Sequence, residues 1–233
     1  MSVQVSTAVL IHGLHLDANG WESLVWGSPI DGVWGNIPRG VELAWRTQAG
    51  VIYWGTGASE RDGKKECDVM FGRAIAGANE LARLCNTTPE LLTTFLNQRS
   101  IRDADAKDTN TEIRACLDKC IEIGVTDVTL VPLASQAPLA VRRGLWLVLE
   151  DEKFSQYRHR LSIMPSDTRY VGVGMQDIVI FTPPHRGDRV SNPSHALARR
   201  TLDVIQRFSK AGDKSGVGSF LSEWDLFLKK FEN

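Results

Sequence analysis

Thr7-Ala8-Val9-Leu10-Ile11-His12-Gly13 is an apolar run that ends abruptly in a histidine and a glycine. The run is short and continuous rather than alternating. It therefore reads as a strand covered on both faces, the kind a parallel sheet contains. Working outward, Gly50 to Trp54 (GVIYW), Val128 to Val131 (VTLV) and Asp177 to Phe181 (DIVIF) repeat the pattern, and Leu161 to Met164 is a weaker fifth strand.

Helical patterns separate these strands. Thr109-Asn110-Thr111-Glu112 fits a capping box, after which Ile113, Cys116, Leu117, Cys120 and Ile121 recur at helical spacing until Gly124. A second helix starts near Thr87-Thr88-Pro89, with either threonine eligible as its cap. Asn192-Pro193 opens a helix to about Ser209, and Phe220, Leu221, Trp224, Phe227, Leu228 and Phe231 form the stripe of a last helix. Alternation of strand and helix predicts an α/β protein, a Rossmann-like three-layer α/β/α sandwich with a mainly parallel central sheet. One domain over residues 1–233 is expected, with a helical insertion at about 86–108 and a docking helix at about 219–232.

Composition narrows the function classes. The 233 residues carry 27 Lys+Arg against 28 Asp+Glu, a net charge of −1, without the basic excess of a phosphate-neutralising nucleic-acid binder. The apolar run from Val128 to Leu133 is far shorter than the roughly 20 residues of a membrane helix. Met1 to Ser6 has no basic segment of secretory type, so a soluble, cytoplasmic protein is expected. The four cysteines form no C-x-x-C pair and read as buried and reduced.

In open parallel sheets, ligands bind beyond the carboxyl ends of the strands. Those exits here hold His12, Gly13, His15 and Asp17; Gly55, Thr56, Gly57, Ser59 and Glu66; Ser135 and Gln136; and His185, Arg186 and Asp188 after two prolines. Gly55-Thr56-Gly57 leads toward a helical segment and reads either as an anion cradle or as a plain tight turn. It is no dinucleotide fingerprint, because Glu60 stands where a third glycine belongs. No G-x-S-x-G elbow supports a serine hydrolase, and His12, His15 and Asp17 match no zinc signature, so no metal site is expected. His185, flanked by Arg186, Asp188 and Arg189, has the surroundings of a general acid/base. Five tryptophans between Trp21 and Trp54 suit a core or lid, with Trp21 and Trp26 the better stacking candidates.

The layout resembles the ElyC/SanA/YdcF family over roughly residues 7 to 190. The similarity rests on the strand and turn Ala8 to Gly13, on Arg39 opening a helix, and on Gly55-Thr56-Gly57-Ala58 with Glu66 downstream. Asp108-Thr109-Asn110-Thr111 resembles the family's Ser-x-Asn-Thr stretch, Leu130 to Gln136 its strand before a Thr-Ser-x-x-His turn, and Pro183-Pro184-His185-Arg186 a segment of some relatives. Gln136 replaces the family's usual histidine, Pro132-Leu133 its Thr-Ser, and Ile113-Arg114 its Glu-Asn. The resemblance implies a Rossmann-like fold, a site at the strand exits, and links to envelope physiology or, in one branch, S-adenosylmethionine binding.

The expected function is a soluble hydrolase or transferase acting on a small anionic metabolite bearing a phosphate or nucleotide. Gly13, Trp21, Gly55, Thr56, Gly57, Ser59, Asn110, Thr111, Ser135 and Gln136 would line its ligand, and Arg39 and Arg186 would pair with the charge. His185 or His12 would move the proton, oriented by Asp188 or Glu66. The alternative is a non-catalytic, regulatory binding module of nucleotide or S-adenosylmethionine type. No cofactor is identified, and the oligomeric state stays open.

Overall fold

A computed structural model describes residues 7–170 of the chain. The strand expected at Asp177–Phe181, the helices expected from Asn192 and Ser219, and the segment with His185, Arg186 and Asp188 lie outside the described residues.

In chain order the elements are β1 (Thr7–Ile11), α1 (Trp21–Trp26), β2 (Gly27–Ser28), β3 (Val33–Trp34), α2 (Asn36–Arg46), β4 (Val51–Gly55), β5 (Glu60–Arg61), β6 (Lys64–Lys65) and α3 (Glu66–Ala76). There follow α4 (Ala78–Leu84), α5 (Pro89–Arg99), β7 (Ser100–Asp103), α6 (Thr109–Ile123), β8 (Asp127–Val131), α7 (Ala137–Glu150) and β9 (Leu161–Ile163). Among the described residues five strands form an all-parallel sheet in the order β7-β4-β1-β8-β9. The chain starts in the middle, builds outward to β7, then returns to the other side of β1. The point where the direction reverses lies between β1 and β8, which is where open parallel sheets of this kind place their ligands.

The pleat explains both helical layers, because successive side chains of β1 point to opposite faces. Ala8 and Leu10 join Val51, Tyr53, Val128 and Leu130 against Ile113, Cys116, Leu117 and Cys120 of α6 and Leu147 and Val148 of α7. Ile11 meets α2 at Gly40, where a Cβ would collide with the isoleucine side chain, and Trp54 meets Phe71 of α3 edge to face. Buried on both sides, β1 needs the apolar sequence it has. All four cysteines are free and buried, and burial pushes the Cys67 thiol up to about 11.

Three expectations change. The stretch expected as a helical insertion at 86–108 holds α5 and then β7, which pairs with β4 at the sheet edge. Its Ser100-Ile101-Arg102-Asp103 has one strong apolar residue, since an edge strand is only half covered. Gly55-Thr56-Gly57 does not enter a helix directly; the small β5–β6 hairpin intervenes before α3. The cap of α6 is Asp108, not Thr109: its carboxylate accepts the Asn110 and Thr111 N–H groups, and Thr111 Oγ1 accepts the Asp108 N–H. An aspartate caps as well as a threonine, and choosing it moves the whole box back by one residue. For α5, Thr88 is the cap, with Pro89 in the first turn.

Candidate functional site

Burying polar groups is costly, so where a core tolerates them is informative. Among the described residues, the buried polar or charged side chains are His12, Asn36, Thr56, Ser59, Glu66, Glu112 and Ser166. All but Ser166 gather around the exits of β1 and β4.

The shift of the α6 cap assembles the first half of this cluster. With Asp108 as cap, Glu112 is free of capping duty and heads the buried face that continues through Cys116 and Cys120. Its carboxylate accepts twice: His12 Nδ1 lies 2.6 Å from Oε2, and the Gly13 N–H donates to Oε1 at 3.0 Å. A carboxylate that also holds the neighbouring main-chain N–H fixes the orientation of the ring through Nδ1. His12 Nε2 is buried and has no hydrogen-bond partner among the described residues. Asn36, in the first turn of α2, donates from Nδ2 to the His12 carbonyl at 2.6 Å, so the histidine is held at main chain and ring alike.

The second half is Glu66, the first residue of α3. Ser59 Oγ donates to its Oε2 at 2.5 Å, and Thr56 Oγ1 lies 3.3 Å from Oε1. Burial pushes its carboxyl up to about 7 despite the Ser59 hydrogen bond, and the nearby Glu112 adds to the rise. Gly13 separates the two carboxyls: a Cβ there would collide with Glu66 Oε1, and one at Gly55 with Glu112. Side chains at either position would fill the space the carboxyl groups occupy.

The other expected site residues fall in different places. Gly57 donates its N–H to Ala106 O at 2.8 Å, and the Ala58 N–H is taken by Thr56 Oγ1, so the donors of this turn serve the protein itself. Asn110 and Thr111 give their N–H groups to Asp108. Gln136 links the exits of β8 and β1, its Nε2 donating to Gly13 O at 3.2 Å, and Ser135 Oγ accepts the Tyr170 N–H. Arg39 pairs with Asp167 at 2.7 Å and lies over the Trp34 ring. Trp21 is buried with its indole N–H on Leu14 O, and Trp26 donates to Glu80, so both indoles serve packing. Glu112 and Asn36 are the residues of this cluster that the sequence reading missed as site groups. For Glu112 the signal was legible, a glutamate at the head of an apolar stripe, four residues before Cys116 and eight before Cys120.

No family model, curated protein or solved structure matches the chain. The five-stranded parallel sheet and its helical layers place it among Rossmann-like α/β proteins on architecture alone. No helix among the described residues is long and apolar enough to cross a membrane.

Proposed function

We propose that the protein is an enzyme that moves a proton on a small anionic metabolite during hydrolysis or group transfer, with His12 as the transferring group. The observation that carries this reading is the His12–Glu112 pair: one imidazole nitrogen is locked by a carboxylate and the other is buried and unspent. A histidine that served packing alone would be expected to have both nitrogens satisfied. An oriented imidazole with a free nitrogen is the arrangement general acid/base chemistry uses. Glu66, buried and close to half protonated near neutral pH, is a second proton-carrying group beside it. The phosphate- or nucleotide-bearing class of substrate rests on the sequence, through Arg39 and Arg186, as does the resemblance to the ElyC/SanA/YdcF family. His185 and Asp188 form the competing acid/base set.

The test begins with thermal denaturation against nucleotides, sugar phosphates and S-adenosylmethionine. A ligand at 100 times its dissociation constant adds about 2.7 kcal/mol of stability. With the ligand class in hand, His12→Gln and His185→Ala are compared for turnover and affinity. Loss of turnover at near-constant affinity in His12→Gln supports the assignment, and the same result in His185→Ala alone transfers the role to His185. Binding without turnover in the wild type selects the regulatory binding module.

A further inference from the structure

Arg39 holds its partner in an incomplete way. Both oxygens of Asp167 sit on a single guanidinium nitrogen, with Nη2 donating to Oδ1 at 2.8 Å and to Oδ2 at 2.7 Å. The Trp34 N–H completes the carboxylate's shell at 2.9 Å, and the guanidinium carbon lies 4.7 Å from the centre of the Trp34 ring. Arg39 Nε is buried and has no partner among the described residues. A buried N–H of a charged group is costly to leave unmatched, and the common side-on fork of an arginine uses Nε and Nη2 together. Asp167, tethered by its own backbone N–H to Trp34 O, engages only half of that fork.

We propose that the Arg39–Trp34 seat is the anion site of the ligand and that Asp167 is its intramolecular occupant, displaced when a phosphate group takes the Nε–Nη2 fork and the Trp34 N–H. This rests on the reading above that the ligand is anionic. The seat belongs to the same helix start that serves the catalytic cluster: Asn36 holds the His12 carbonyl, and Arg39 follows three residues later. Asp167 is 41% exposed at its side chain, so solvent and solutes reach the seat it fills. A tetrahedral dianion brings three acceptor oxygens to a seat that a carboxylate serves with two. Competition by a tethered carboxylate lowers apparent affinity by the fraction of time the seat is open, and so acts as a threshold against weak anions.

Inorganic phosphate is the probe, titrated into the full chain and followed by tryptophan fluorescence and thermal midpoint, with chloride at matched ionic strength as the control. Asp167→Asn is expected to bind phosphate about tenfold tighter or better than the wild type. Arg39→Gln in the Asp167→Asn background is expected to lose that gain. Unchanged affinity in Asp167→Asn, or a gain that survives Arg39→Gln, overturns the proposal. If Asp167→Asn does not fold, the Arg39 Nε–H resonance of the wild type decides: phosphate must shift it and chloride must not, and no shift overturns the proposal. His12→Gln is expected to retain the wild-type response to phosphate. Failure of the catalytic reading is thereby told apart from failure of the anion seat.

Discussion

Glu66 couples the site to the stability of the whole protein. A carboxyl raised from 4.5 to about 7 binds its proton more tightly in the folded chain than in the unfolded one. Between those two values the native state therefore carries more protons, and the stability this provides is present in full below about pH 4.5 and lost as pH rises through 7. At 1.36 kcal/mol per unit, the effect is on the order of 3 kcal/mol. Glu66→Gln keeps an acceptor for Ser59 and removes the charge. It is expected to be more stable than the wild type at pH 8 and close to it at pH 4.5, as read from urea unfolding at both values. A difference that does not change with pH would show that Glu66 carries no such proton.

At the scale of elements, α6 does two things at once: it packs the sheet with its apolar stripe and delivers Glu112 to the exit of β1. Both depend on where the helix begins. Asp108→Ala removes the acceptor for two N–H groups and is expected to cost about 1 kcal/mol, whereas Thr109→Ala should stay within about 0.5 kcal/mol. Equal effects in thermal unfolding would contradict the observed cap. The strands β1, β4 and β8 were legible from sequence because central parallel strands are apolar throughout and bounded by glycine or polar residues. Strand β7 was hidden for the converse reason, as Arg102 and Asp103 dominate a half-covered edge. The α6 box was legible as a motif but ambiguous in register, since Asp108 and Thr109 are both good caps. That ambiguity of one residue concealed the role of Glu112.

At the scale of the whole molecule, the sheet of the described residues grades from a double-covered centre to less covered outer strands. β1 lies between β4 and β8 and is buried, apart from Thr7, while β7 and β9 are only partly covered. Amide hydrogen exchange is expected to be slowest in β1 and faster in β7 and β9. Exchange from β9 as slow as from β1 would place the stability centre elsewhere. The fold was readable from the sequence because burial writes itself into apolar runs. The site was readable only as a region, because the place of Glu112 on the α6 stripe is a local pattern, but its pairing with His12, 100 residues away, arises from tertiary packing. The loop between β7 and α6 is stitched to the turn after β4. Gly57 donates to Ala106, Lys107 Nζ reaches the Gly57 and Ala104 carbonyls, and Asp103 gathers the Asp105 and Ala106 N–H groups and the Tyr53 hydroxyl. Lengthening α6 by one residue after this seam would rotate Glu112 by about 100° away from the histidine. Natural variants of this chain should therefore tolerate exchanges of side chain between positions 104 and 111, Asp108 apart, far more readily than any insertion or deletion there.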